Sequence, residues 1–161
     1  MSTIAAARFG SVFSAGLVAG VLLGDRMGAS FARPALSASS FVTFQQILHR
    51  HFVWMMPILL GIAILSMATW LMLAHARPGS AEFTFVGLAE LAFISIVVLT
   101  RAINVPINVQ LMTWDASSPP SGVMNTWVRW EQAHTARTVI AVLGFALLLL
   151  AFGTSRSQQA A

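Results

Sequence analysis

The side chains that could do chemistry in this chain lie in two stretches, residues 101–108 and 130–137. The first contains Arg101, Asn104 and Asn108, and the second contains Trp130, His134 and Arg137. Guanidinium and amide groups donate hydrogen bonds to oxygen atoms, histidine accepts and releases protons near neutral pH, and indole rings stack on flat molecules. Polar groups that converge from separate segments mark a ligand pocket, so these residues predict a site.

An acidic residue, Glu90, lies inside an apolar segment on the same predicted helix as Arg101. On an ideal α-helix, Glu90, Arg101, Asn104 and Asn108 fall within about 60° of one another. A carboxylate in the middle of a membrane is costly, so Glu90 should face the bundle and be paired or protonated. Arg101 lies about 16 Å along the helix, too far to pair with it. Glu90 is therefore expected to be either a structural acid or part of the site.

The composition indicates a membrane protein. Hydrophobic residues make up 57 % of the 161 residues and charged residues 9 %, whereas soluble domains carry about 25 % charged residues. Four apolar segments can each cross about 30 Å of hydrocarbon when their flanks are included, and at that depth only helices satisfy the backbone. The sequence predicts an all-α, four-helix transmembrane bundle, a single domain over residues 1–161, with spans at about 6–27, 51–74, 83–104 and 124–153.

The connections between these spans should bring the polar residues together. Four antiparallel spans place the first and third loops, residues 25–51 and 101–134, at the same membrane face. We expect the first loop to open at Ser37–Ser40. From Val123 onward the chain lacks Pro, and a helix of about 30 residues would be about 45 Å long. The fourth helix is therefore predicted to extend beyond the membrane.

Several classes of site and partner are excluded. The chain has no Cys, which excludes disulfides, thiolate metal sites and a cysteine nucleophile. Its nine Arg are scattered singly and no Lys accompanies them, a pattern typical of interface anchors and not of a nucleic-acid surface. Arg8, Arg33, Arg77 and Arg156 are predicted to be such anchors. Gly16 and Gly20 favour close helix contacts, either within the chain or in a homo-oligomer.

Two motifs carry a resemblance to a known family. Residues 101–114 read R-x-x-N-V-P-x-N-x-x-L-x-x-W, and residues 129–138 read R-W-x-x-x-H-x-x-R-T. In order and spacing these motifs resemble the anthrone oxygenase family of small membrane proteins, which shares the four-span layout. The resemblance implies oxidation of an anthrone-like or other apolar aromatic substrate by dioxygen, without flavin, haem or metal. It also implies residence in a membrane, which we expect to be the bacterial inner membrane.

That reaction suggests roles for the polar residues. An anthrone is acidic at the carbon opposite its carbonyl, and its anion reacts with oxygen directly. We expect His134 to be the general base, and Arg101 and Arg137 to hold the oxyanion. The residues expected to bind the substrate are Asn104, Asn108, Trp114, Trp127, Trp130, Glu90 and His49. Because Pro106 disfavours helical geometry at the residue before it, the third helix is predicted to break at Val105.

Two other functions fit the same residues. A non-enzymatic membrane module that binds a lipid, a quinone or a partner protein would use the same donors. A metal or haem protein would use His49, His51 and His134, although His49 and His51 cannot share one helical face. We predict no metal site and no cofactor, and the partners expected are the lipid bilayer and an apolar aromatic small molecule.

Overall fold

The computed structural model describes residues 2–73 and 79–157, with the backbone alone for 155–157, and the regular elements in this part of the chain are all helices. In chain order the elements are α1 (Thr3–Met27), α2 (Ala29–Ala32), a 3₁₀ turn (Arg33–Ala35), α3 (Ala38–Leu73), α4 (Ala81–Leu99), a π turn (Thr100–Asn104), α5 (Val105–Met112) and α6 (Val123–Ser157). Four stretches are long and apolar enough to span a membrane: Thr3–Ala35, Ala38–Leu73, Ala81–Met112 and Val123–Thr154. The predicted all-α fold with four spanning helices is confirmed.

The four long helices form a ring in which each packs against two others. Helix α1 contacts α3 and α6, and α4 contacts the same two helices. A glycine allows α6 and α4 to approach each other closely, because a Cβ on Gly144 of α6 would lie 2.9 Å from the ring of Phe93 on α4. In the predicted glycine stripe of α1, Gly16 packs against Phe145, whereas Gly20 faces open space. Association between copies of the chain stays a prediction.

Helix α3 begins at Ala38, so the first loop that the sequence predicts over residues 25–51 is mostly helical. The serine cluster caps the helix, since the hydroxyl of Ser37 accepts the backbone N–H of Ser40 at 3.2 Å. No Pro lies between Pro34 and Pro57, so nothing prevents polar turns from continuing into the apolar span. The helix has 36 residues and is about 54 Å long, well beyond the hydrocarbon thickness.

Beside the start of α3 lies a second hydrophobic core, separate from the main core that the four long helices share. Its buried members are Phe41, Val42, Leu111, Val123 and Trp127. Helix α6 begins here and runs for 35 residues, or about 52 Å, as the predicted extension of the fourth helix requires. The first turns of α3 and of α6 therefore pack against each other, and each stabilises the other's extension beyond the hydrocarbon.

The prediction that the third helix breaks at Val105 is wrong. Val105 has α-helical geometry (φ −63°, ψ −48°), and its N–H donates to the carbonyl of Thr100, five residues earlier. Proline at position 106 lacks an N–H, and its ring would clash with the carbonyl four residues before it in a regular α-helix. The wider π turn over Thr100–Asn104 relieves that clash and lets the helix continue into α5.

Candidate functional site

A cavity of about 170 Å³ lies where α1, α3, the π turn, α5 and α6 meet. Most of its wall is apolar, and the apolar lining residues are Val21, Leu22, Leu48, Phe52, Val53, Met56, Pro57, Val105 and Leu111. The remaining wall is polar, formed by Asp25, Arg33, Gln45, His49, Thr100, Asn108, Trp130, His134 and Arg137. An apolar cavity with a few converging polar groups has the composition of a small-molecule site.

Arg33 is the centre of the polar wall. It is 2 % exposed and donates to both carboxylate oxygens of Asp25, at 2.6 and 3.0 Å. It also donates to Glu131 at 3.0 Å and to Gln45 at 2.8 Å. The prediction that Arg33 is an interface anchor is wrong, because this side chain joins α1, α3 and α6 inside the bundle.

His134 lies between Asp25 and Arg137. Its Nδ1 atom is 3.2 Å from a terminal nitrogen of Arg137. A guanidinium group only donates, so Nδ1 must be the acceptor, and the proton of the neutral ring is assigned to Nε2. That Nε2 atom lies 3.1 Å from Oδ2 of Asp25, in a geometry too bent for a standard hydrogen bond. The lone pair of His134 therefore faces Arg137.

Two buried donors on this wall form no well-aligned hydrogen bond with the described residues: Nε of Arg137, and Nε2 of His134, which has only the bent contact with Asp25. The two side chains are 2 % and 8 % exposed. The other nitrogens of Arg137 are engaged, one of them with the hydroxyl of Thr100 at 3.0 Å. A buried donor without an acceptor costs about 1–3 kcal/mol. An oxygen atom of a ligand in the cavity would remove this cost.

Trp130 joins the aromatic part of the wall to α5. Its ring stacks on Trp127, with centroids 4.2 Å apart, and on His134 at 4.9 Å. Its indole N–H donates to the side-chain oxygen of Asn108 at 2.8 Å, and the side chain of Asn104 donates to its backbone carbonyl at 3.2 Å. The two Asn residues thus set the position of Trp130 relative to the cavity.

The structure brings together five of the site residues that the sequence predicts. His134, Arg137, Asn108, Trp130 and His49 all line the cavity. Three others lie behind this wall. Asn104 is buried against the backbone of Trp130, while Trp127 and Trp114 belong to the second hydrophobic core.

Glu90 and Arg101 do not reach the cavity. Arg101 is exposed and forms no hydrogen bond or ion pair with the described residues, so the predicted meeting of Arg101 with His134 does not occur. The stripe that the sequence predicts assumes a regular α-helix, and the π turn changes the rotation per residue from Thr100 onward. Thr100 takes the place expected for Arg101. Glu90 is half-buried on α4, and one of its oxygens lacks a partner.

Asp25, Arg33, Gln45 and Thr100 line the cavity but are not among the site residues that the sequence predicts. Asp25 carries the one usable signal, because an acid directly after an apolar span needs a partner. Arg33 resembles an ordinary interface arginine in sequence. Within residues 2–73 and 79–157, no group of three or more His, Asp and Glu side chains could hold a metal ion. The absence of a cofactor remains a prediction.

Comparison with known proteins adds one match. The family model described as anthrone oxygenase matches residues 44–147, which include His49, Asn108, His134 and Arg137. Asp25 and Arg33 lie outside the matched range. No curated protein and no solved structure matches the chain.

Proposed function

The chain belongs to the anthrone oxygenase family, and we propose that its cavity binds a flat, phenolic aromatic ketone of the anthrone type and promotes its oxidation by dioxygen. The observation that carries this proposal is the pair of buried donors, Nε2 of His134 and Nε of Arg137, which form no well-aligned hydrogen bond on the wall of a mostly apolar cavity. Such a wall suits a ligand that is apolar over most of its surface and carries an oxygen at one edge.

The reaction balances without a further reductant. A base removes one proton from the CH₂ group opposite the carbonyl, and the electron pair delocalises onto the carbonyl oxygen. The resulting anion transfers electrons to dioxygen and combines with it, giving a hydroperoxide. Loss of the second C–H proton and cleavage of the O–O bond release water and leave a second carbonyl. One oxygen atom enters the product, and the other leaves as water.

The polar wall would stabilise the anion that forms in the first step. Preorganised donors in a site that excludes water stabilise developing oxyanions strongly. Arg137 supplies a fixed positive charge. His134 supplies an N–H, because its lone pair already accepts a hydrogen bond from Arg137. The geometry thus favours His134 as a donor, whereas the sequence alone suggests it as the base. Arg101 lies outside the cavity and has no role in this proposal.

Oxygen uptake tests the proposal directly. The full chain, purified free of metal and placed in nanodiscs, is supplied with anthrone and ¹⁸O₂. We expect anthrone-dependent uptake of one O₂ per anthraquinone, with one labelled atom in the product. Arg137→Gln should lower turnover about 100- to 1000-fold, the usual effect of removing one oxyanion donor. Arg101→Gln is the matched control and should keep wild-type turnover.

The binding alternative is an outcome of the same experiment. Val53 and Pro57 line the cavity and are also exposed on the outer surface of α3, so a bilayer-soluble quinone could reach the same site from the side. Tight binding of anthraquinone without any oxygen uptake by the wild-type chain would overturn the oxygenase proposal. It would favour a membrane module that binds quinones.

A further inference from the structure

We infer that His49 on α3, and not His134, is the base that removes the substrate proton, an inference that rests on the proposed function. A base needs a lone pair that reaches the substrate. Of the two histidines on the cavity wall, His134 has its lone pair directed at Arg137. His49 lines the same cavity and has no hydrogen bond, ion pair or ring contact with the described residues, so its ring is available.

The position of His49 on α3 follows from helix periodicity. Gln45, His49, Phe52 and Met56 all line the cavity, and this spacing of three to four residues is that of one helical face. One turn closer to the start of α3, the neighbour of His49 on this face is Gln45, which accepts a hydrogen bond from Arg33. In the other direction along the helix its neighbours are the apolar residues Phe52 and Met56. His49 thus stands at the border between the charged network and the apolar part of the cavity, where the reacting carbon of a ligand would lie.

The other titratable groups on the cavity wall are poorer bases. They are Asp25 from α1, Arg33 from the 3₁₀ turn, and His134 and Arg137 from α6. Both carboxylate oxygens of Asp25 accept hydrogen bonds from Arg33, and the two Arg have no lone pair to offer. The polar residues that the π turn and α5 contribute to the wall are Thr100 and Asn108, and neither is charged. Among the titratable groups on the cavity wall, His49 is therefore the best candidate for the base.

This assignment divides the work between two helices. The C–H proton moves to a free ring nitrogen of His49 on α3, and the electron pair moves to the substrate oxygen held by Arg137 and His134 on α6. The imidazolium then returns its proton to the reduced oxygen, and the base is regenerated. The acid–base group and the oxyanion donors therefore sit on separate walls, and each can be altered alone.

Proton exchange in the absence of oxygen tests the base separately from the oxygenase reaction. The full chain in nanodiscs is incubated anaerobically with anthrone in D₂O, and deuterium at the CH₂ group is measured against the protein-free rate. We expect His49→Gln to lower the catalysed exchange about 100-fold or more, the usual effect of losing a general base. His51→Gln is the matched control, since His51 is exposed on the same helix and outside the cavity, and it should exchange like the wild type.

Two further measurements distinguish a catalytic role from a structural one. His49→Gln should bind anthraquinone, which has no CH₂ group to react, within about threefold of the wild-type affinity. Added imidazole should restore part of the exchange in His49→Ala, because it supplies the missing base. It should leave the protein-catalysed exchange rate of the wild type unchanged.

Each outcome bears on the inference. Catalysed exchange without oxygen uptake would keep His49 as the base and overturn the oxygenase proposal. No catalysed exchange by the wild-type chain would overturn the base assignment. So would wild-type exchange in His49→Gln.

Discussion

The two ends of the bundle use the same residue types for different purposes. At one end Arg8 donates to Glu82 at 2.7 Å, and the indole N–H of Trp70 donates to the same carboxylate oxygen at 2.8 Å. These three residues, Arg8, Trp70 and Glu82, which we call the Arg8 clamp, join α1, α3 and α4. At the other end, Arg33 holds two carboxylates beside Trp127 and Trp130, and the network extends to the cavity wall.

The difference lies in where each network ends. Arg8 also has a buried Nε without an acceptor among the described residues, but Arg8, Trp70 and Glu82 do not line the cavity. The Arg33 network has its donors that form no well-aligned hydrogen bond on a cavity wall. An arginine–carboxylate pair thus serves as a fastening at one end and as the support of a binding wall at the other. The prediction that Arg8 is an interface anchor is wrong for the same reason as for Arg33. Arg77 and the side chain of Arg156 lie outside the described residues.

The largest effect is expected from Arg33→Met. It would leave the carboxylates of Asp25 and Glu131 without their main partner, and breaking a buried pair in this way costs about 5 kcal/mol at the upper end. We expect both the free energy of unfolding in detergent and anthraquinone binding to fall. If Arg33→Met binds anthraquinone like the wild type, the Arg33 network does not support the cavity wall.

Arg8→Met sharpens the comparison from the other end. Glu82 would keep the hydrogen bond from Trp70, so the expected loss is smaller, about 3 kcal/mol. Binding of anthraquinone should be unchanged once the variant is folded. The double variant Arg8→Met/Glu82→Met should recover much of the stability, because no charge is left buried alone. A loss of binding in the stable double variant would contradict the division between the two ends.

Asn108→Leu tests the link between α5 and the aromatic wall. The change removes the acceptor of the Trp130 indole N–H, and an unsatisfied donor costs about 1–3 kcal/mol. We expect anthraquinone binding to weaken about tenfold, measured by quenching of tryptophan fluorescence. Gln110→Leu is a control on the exposed side of α5 and should bind normally.

The smallest effect concerns the loop before α6, on the cavity side of the molecule. Hydrogen bonds from the backbone N–H and hydroxyl of Ser117 lower the pKa of Asp115. A lowered pKa stabilises the fold above the pH at which the unfolded carboxylate titrates, about 4, and this contribution is lost as pH falls through the folded value. The melting temperature of the wild type should therefore fall slightly more on acidification than that of Asp115→Asn, with equal binding at pH 7.

Periodicity and hydropathy were sufficient for the spans but not for their polar ends. The apolar segments predict four helices, because in hydrocarbon the backbone N–H and C=O groups of each segment must form hydrogen bonds within that segment. The start of α3 at Ala38 was missed because its first turns are polar, and hydropathy does not distinguish a polar helix from a loop. Asp25 and Arg33 were missed because a charge at the end of a span looks the same whether it meets water or another helix.

The regular helix α6 is where the predicted site residues and the cavity lining agree best, although Asn108, beyond the π turn, also lines the cavity. His134, Arg137 and Trp130 share a face of α6, which has no interruption, and all three line the cavity. Arg101 was misplaced because its predicted orientation assumes the rotation of an α-helix through Thr100–Asn104, where the chain forms a π turn. Pro106 favours the π turn that precedes it. The pattern of residue types does not show how such a turn changes the directions of the side chains around it.

The π turn also has a genetic consequence. It holds one residue more per turn than an α-helix, so loss of a single codon within it would restore the ordinary winding. The extra residue is taken up inside the turn, so the side chains of α5 would keep their present directions and Asn108 would still line the cavity. A codon gained or lost here therefore changes which residues the turn itself presents, Thr100 among them, while α5 and the remaining frame of the bundle are inherited unaltered.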